Sequence, residues 1–242
     1  MQDLQDYTAL VTGGTAGIGL ETARLLVARG ARVIITGRDA ERGKAALADL
    51  GADDDVRFVA ADLGDLDSVA QLVDEVGAVD IIVNNAGAFP TAATVQQDVA
   101  SFERVFNTNV RGAYFLVAKL APHMLDNGRG SIVNVSSIAT AKGVAESSVY
   151  STSKSALESL TRTWAVEFGP QVRVNAVAPG PTRTAGVLVD WGDRVEDLGR
   201  GTALGRTADP VEIAEVITFL ASPAASYVTG ATVRADAGGA II

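Results

Sequence analysis

Seven short apolar runs punctuate the chain: TALVTG (8–13), ARVIIT (31–36), VRFVA (56–60), VDIIVN (79–84), SIVNVS (131–136), VRVNAV (172–177) and ATVRAD (231–236). Several are nearly continuous in Val, Ile and Ala, which suits strands covered on both faces rather than half-exposed ones. Between the early runs lie ETARLLVARG, AERGKAALADL and SVAQLVDEVG, each long enough for a crossover helix. Two longer helical regions cover roughly 98–126 and 149–168. Strict alternation of strand and helix predicts right-handed crossovers and an α/β, doubly wound, seven-stranded parallel sheet with helices on both faces. Linkers, low-complexity tracts and internal repeats are missing, so residues 1–242 read as one domain. The least patterned stretch is 183–208, rich in glycine and mixed charge. It reads either as a loop with weak helices or as a substrate-covering lobe, since it would leave the sheet at the carboxyl ends of the strands, where ligands bind.

Composition narrows the chemistry. The 242 residues contain 48% hydrophobic side chains, one histidine and no cysteine. The apolar share is that of a folded protein. Without cysteine, disulfides, thiolate metal sites and thiol nucleophiles are all excluded. His123 alone cannot supply a multi-histidine metal cluster, and its place in the 98–126 region reads as structural. A net charge of −9 offers no basic excess for nucleic acid. The start, MQDLQDY, lacks a basic region followed by an apolar core, and no run of about 18 apolar residues suits a membrane span. A cytoplasmic protein is expected, with Tyr, Lys, Ser, Asp, Glu and Arg as the remaining catalytic candidates.

The first run leads into Thr12-Gly13-Gly14-Thr15-Ala16-Gly17-Ile18-Gly19, where a helix begins. Glycines at a strand-to-helix turn permit positive φ and close approach of a phosphate, and the helix N-terminus favours the anion. The spacing is neither GxGxxG nor that of a P-loop, and a structural glycine turn is the alternative. The second run ends in Thr36-Gly37-Arg38-Asp39, the point that faces the adenosine ribose in dinucleotide folds. Gly37 leaves the acidic slot empty, while the planar fork of Arg38 suits the 2′-phosphate of NADP. The alternative for Arg38 is a solvated loop residue. Asp39 reads as the cap of the following helix, although an acid there keeps NAD possible.

Tyr150 and Lys154 stand four apart in YSTSK, on one face of a predicted helix. A cation beside a phenol favours phenolate and lowers a pKa that starts near ~10, making the tyrosine a usable acid or base. The fifth run ends in Ser136-Ser137, the fourth in Asn84-Asn85-Ala86-Gly87, and the sixth runs on to Pro179-Gly180-Pro181-Thr182. Each could be a mere cap or turn. Together they converge on one rim of one sheet.

With these motifs in order, the chain resembles the compact, single-domain branch of the short-chain dehydrogenase/reductase family over essentially its whole length. The resemblance rests on Thr12-Gly13-x-x-x-Gly17-Ile18-Gly19, Asp62, Asn84-Asn85-Ala86-Gly87, Asn109, Ser137, Tyr150-x-x-x-Lys154 and Pro179-Gly180. It implies a Rossmann-like fold and hydride transfer between a nicotinamide dinucleotide and a ketone or secondary alcohol, without a metal. Tyr150 would pass a proton to or from the substrate oxygen and Ser137 would hydrogen-bond that oxygen. Lys154 would tune Tyr150 and hold the nicotinamide ribose, Tyr150 would also contact the cofactor, and Asn109 would position a water linking Lys154 to solvent. The resemblance further implies cofactor contacts at Gly13, Thr15, Gly17, Ile18, Gly19 and Arg38, at Asp62 and Leu63 around the adenine, at Asn85, Ala86 and Gly87 along the adenosine side, and at Pro179, Gly180 and Thr182 around the carboxamide.

NADP(H) is the favoured cofactor and NAD(H) the alternative. A small-molecule carbonyl or alcohol is the expected partner, with neither nucleic acid nor membrane involved. A 3-oxoacyl-carrier-protein reductase, a polyol or sugar dehydrogenase and a non-catalytic dinucleotide-binding protein are competing readings. The overall charge repels an acidic carrier, and retention of Tyr150 and Lys154 speaks against a non-catalytic role. A homotetramer is expected from the resemblance, using the 98–126 and 149–168 helices and the terminal GGAII. Trp164, Phe168, Phe102, Phe106 and Phe115 are read as core or subunit contacts, and Ala139, Thr140 and Val144 as hints of an apolar pocket.

Overall fold

The computed structural model describes residues 2–51 and 55–242. Seven parallel strands lie in the order β3-β2-β1-β4-β5-β6-β7. They are β1 (Thr8–Thr12), β2 (Arg32–Gly37), β3 (Val56–Ala60), β4 (Ile81–Asn84), β5 (Gly130–Val135), β6 (Val172–Pro179) and β7 (Thr232–Ala235). The order reverses between β1 and β4, so the crevice above their carboxyl ends is the place where this architecture binds ligands. All the predicted strands are present, and the doubly wound α/β reading holds.

The apolar runs alternate within themselves. Val11, Ile35, Val83, Val133 and Val177 face one layer, packed on Ala23 and Leu26 of α1 (Gly17–Ala28) and on Ile213, Ile217 and Leu220 of α9 (Pro210–Ala221). Leu10, Ile34, Ile82, Ile132 and Val174 face the other, against Leu72 of α3 (Leu66–Val76), Leu116 and Leu120 of α5 (Ala113–Asp126), and Trp164 of α6 (Ser148–Glu167). Two such layers explain why the runs carry no polar alternation. Helix starts follow side-chain oxygens. Asp39 caps α2 (Ala40–Leu50) by accepting from Glu41 and Arg42 N–H, Asp65 caps α3, and Asp98 caps α4 (Val99–Phe106).

The 98–126 region is not one uninterrupted α-helix. Between α4 and α5, residues Asn107–Gly112 form a π-helical segment. Its cause is tertiary. Gly112 is pressed so closely on Leu63 that an added Cβ would lie 2.0 Å from the Leu63 carbonyl oxygen. Asn109 exchanges two hydrogen bonds with the Ala88 backbone, at 2.7 and 2.9 Å. The wider turn turns both residues toward these partners. His123 lies exposed on α5, 2.7 Å from the Asn127 amide.

Residues 183–208 form an excursion with paired ends. Thr182 and Ala208 bridge, and the Ala208 N–H donates to the Pro181 carbonyl at 2.9 Å. Within it lie α7 (Ala185–Trp191) and α8 (Arg194–Arg200), and α8 is tied back to the start of the excursion by the Arg183–Glu196 ion pair at 2.7 Å. Among the described residues, no helix is long and apolar enough to cross a membrane.

Candidate active site

A cleft of about 1170 Å³ opens above the β1/β4 reversal, lined by Gly13, Thr15, Gly37, Arg38, Asp62, Leu63, Ala86, Gly87 and Phe89, among others. Its floor is the glycine loop. Gly13 and Gly17 adopt φ of +64° and +56°, which L side chains rarely do. Thr12 Oγ1 accepts from the Asn85 and Ala86 N–H groups at 3.0 and 3.1 Å, and Asn85 Nδ2 donates to the Thr12 and Gly13 carbonyls at 2.9 and 3.1 Å. Asn85 faces the glycine loop through its side-chain amide. Its amide hydrogens are spent on bracing the loop from behind, and the cleft wall passes to Ala86 and Gly87. The N-terminus of α1 carries no side-chain cap, unlike those of α2, α3 and α4. Uncapped amides beside positive-φ glycines form a cradle suited to a pyrophosphate, so these residues fit a dinucleotide.

At the outer end, Gly37 lies against Thr15, with an added Cβ 3.0 Å from Thr15 Cγ2. Arg38 is exposed on the cleft wall and makes no ion pair among the described residues. Asp39 Oδ1 accepts from Glu41 and Arg42 N–H at 2.9 and 3.1 Å, the capping role its position implies. Asp62 is also exposed on the wall, with Oδ1 accepting from Gly64 N–H at 2.8 Å, and Leu63 is buried beside it. Farther along the same rim, Gly180 packs on Asp236, an added Cβ falling 2.7 Å from its Cα, and Thr182 donates to the Gly180 carbonyl at 2.9 Å. Pro179 ends β6 just before them. Ile18 is half-buried on α1, packed toward the core.

The four catalytic candidates meet on one side of the cleft. Lys154 is buried on α6 and donates to the Val135 carbonyl at 2.7 Å. A Cβ on Gly87 would lie 3.4 Å from Lys154 Nζ and 3.5 Å from Asn109 Oδ1, so Gly87 stands between these two polar atoms. Asn109 is fixed by Ala88 and by the Ser153 hydroxyl at 3.0 Å. Tyr150 stacks edge-on against Phe89, with ring centroids 6.4 Å apart, and the Ser137 side chain is near enough to its phenol to lower the phenol's pKa. Ser153, Phe89 and the Ala88 backbone escaped the sequence reading. Only Ser153 left a signal, inside YSTSK.

The electrostatics depart from expectation. Burial raises the Tyr150 phenol above its ordinary value, and the Ser137 side chain pulls the other way. The Lys154 ammonium stands 5.9 Å from the ring centroid, and desolvation is the larger influence on the phenol. Burial brings Lys154 itself down to about 8 from 10.5. The folded state thus sheds this proton before the unfolded chain does, and in that window stability rises with pH. Relative to Lys154→Met, the wild type is expected to gain about 3 kcal/mol between pH 8 and pH 10.5. Paired urea unfolding curves measure it, and a difference independent of pH refutes it.

Residues 183–208 touch this side of the cleft. Gly17 abuts Thr184, an added Cβ being 3.0 Å from its Cγ2, and Gly186 on α7 faces the tip of Phe89. Thr140, expected as pocket lining, turns its hydroxyl inward to the Ser137 carbonyl at 2.8 Å and to Glu158 at 2.7 Å.

An open parallel sheet with this cradle at its reversal point defines a dinucleotide-dependent α/β protein. A family model described as enoyl-(acyl carrier protein) reductase matches residues 13–239. The chain is 43% identical over 241 residues to cis-4-hydroxycyclohexanecarboxylate dehydrogenase of Sinomonas cyclohexanicum, covering 96% of each chain. It is 38% identical to L-rhamnose 1-dehydrogenase (NAD(P)(+)) of Azotobacter vinelandii, over 97% of each. A solved structure described as a short chain dehydrogenase/reductase family protein superposes with a TM-score of 0.94 at 57% identity, covering 99% of this chain and 100% of that one. The chain belongs to the short-chain dehydrogenase/reductase family, and it is an oxidoreductase acting on alcohol and carbonyl groups with NAD or NADP.

Proposed function

We propose that this enzyme is an NADP-preferring reductase of ketones and dehydrogenase of the matching secondary alcohols, and that its substrates are small ring compounds. The cofactor preference is carried by one arrangement, the absence of an acid at Gly37 with Arg38 unpaired on the cleft wall. Asp39 is occupied as a helix cap, which takes away the carboxylate that would otherwise favour a ribose hydroxyl. A ring substrate is favoured by the aromatic wall that Phe89 places beside Tyr150, and one named relative is cis-4-hydroxycyclohexanecarboxylate dehydrogenase, which acts on a ring alcohol.

A nicotinamide bound in the cleft would supply or accept the hydride. The chain's own residues do the rest. Ser137 holds the substrate oxygen against Tyr150, and Tyr150 passes the proton to it in reduction and removes it in oxidation. Lys154, held by the Val135 carbonyl, presents its remaining donors toward the cleft, and Asn109 closes the polar chain behind it. Asp62, Leu63, Ala86 and Gly87 would hold the adenosine half of the cofactor, and Pro179, Gly180 and Thr182 its carboxamide.

Arg38→Ala is expected to raise the KM for NADPH roughly tenfold to a hundredfold, the loss of a charge-assisted pair to phosphate, with the KM for NADH nearly unchanged. Initial rates with a cyclohexanone and both cofactors measure it. Equal effects on the two would make Arg38 a loop residue and return the preference to NAD.

A further inference from the structure

Glu158 lies on α6, four residues beyond Lys154 and eight beyond Tyr150, and therefore on the same helix face. It is half-buried and directed at the segment that carries Ser137. One carboxylate oxygen, Oε1, accepts from the Ser136 hydroxyl at 2.6 Å and from the Thr140 hydroxyl at 2.7 Å. These two residues bracket Ser137, Ile138 and Ala139. Ser136 is buried, and its N–H donates to the Val177 carbonyl at 2.7 Å, so this end is also pinned to β6. At the other end, the Thr140 hydroxyl hydrogen lies between Glu158 and the Ser137 carbonyl. A single oxygen thus ties both ends of the serine segment to the helix that presents the tyrosine.

We propose that Glu158 is a positioning residue for the reaction: through Ser136 and Thr140 it sets the distance between the Ser137 hydroxyl and the Tyr150 phenol. The assignment rests on the roles given above to Ser137 and Tyr150. A carboxylate suits the task because two hydroxyls can donate to it with charge assistance. Misplacing one reacting group by a fraction of an ångström to one ångström costs one to two orders of magnitude in rate. The glycine loop that would hold the phosphates lies on other elements, so Glu158 is expected to act on turnover with little change in nucleotide affinity.

A double-mutant cycle with Ser137→Ala tests this. Glu158→Ala is expected to lower kcat roughly tenfold with the KM for NADPH unchanged, and Glu158→Gln, which keeps an acceptor oxygen, to restore most of the loss. In the Ser137→Ala background the same change is expected to cost less than about twofold, because the group being positioned is gone. If Glu158→Ala does not fold, Thr140→Val removes one of the two tethers and takes its place in the cycle, with the same non-additivity expected. Effects that multiply, or a nucleotide KM that moves in parallel with kcat, overturn the proposal and leave Glu158 a general brace of the fold. If Ser137→Ala alone leaves kcat unchanged, the reading of the site falls and Glu158's role falls with it. Multiplying effects beside an impaired Ser137→Ala overturn Glu158 alone.

Discussion

Tyr150→Phe is expected to lower ketone turnover about 10³-fold while nucleotide affinity stays at the wild-type value. The phenyl ring keeps its edge-on contact with Phe89 and its place over Lys154, so packing changes little. What disappears is one oxygen, the atom assigned to pass the proton to the substrate. Because burial holds this phenol above its ordinary value, it is protonated across the neutral range and serves reduction as an acid. Ser137 still binds the substrate oxygen in the variant, so the loss stops short of the full rate enhancement. NADPH absorbance follows turnover, and titration of the protein against NADPH fluorescence follows binding. A loss smaller than about tenfold would assign the proton to another group.

Gly19→Ala is expected to weaken NADPH binding roughly a hundredfold. Glycine inside a helix ordinarily costs about 1 kcal/mol against alanine, so the exchange should stabilise α1 taken alone. Here the added methyl would sit 2.3 Å from the Gly13 carbonyl oxygen and 2.5 Å from Asn85 Nδ2. Both atoms belong to the brace that shapes the loop, and neither can yield without breaking the Asn85–Gly13 hydrogen bond. Overpacking of this kind costs up to about 3 kcal/mol, which exceeds the helical gain. The thermal midpoint should fall by about 4–8 °C as well. Wild-type affinity in this variant would mean that phosphates do not approach the glycine loop.

Strands β1, β2 and β4 were readable because they lie between two apolar layers and so show few polar residues. Helix starts at Asp39, Asp65 and Asp98 depend on neighbours two or three residues away, a range at which sequence and structure coincide. The π-helical turn was not readable. It depends on Leu63 and Ala88, residues distant along the chain, and nothing local in NTNVRG separates it from ordinary helix. The bracing of the glycine loop by Asn85 was not readable either, since its partners Thr12 and Gly13 lie at the end of the neighbouring strand, more than 70 residues away. Tyr150, Lys154 and Ser137 could be picked out by residue type and spacing. The sign of the tyrosine shift could not, because it turns on how much solvent the surrounding chain excludes. Glu158 needed only the spacing already used for Lys154, carried one turn further, but its meaning appears only once Ser136 and Thr140 are seen around it.

The Thr12–Asn85 brace has a consequence for the order in which the molecule is made. Its hydrogen bonds join residues 73 positions apart. A nascent chain that has emerged only to the end of α3 has the strands and helices that surround the glycine loop, but lacks β4 and the Asn85-Ala86 corner that shapes it. During synthesis the phosphate cradle is therefore completed only when β4 inserts beside β1. A ribosome-bound segment ending before β4 should not retain nucleotide, although its glycine motif is already complete.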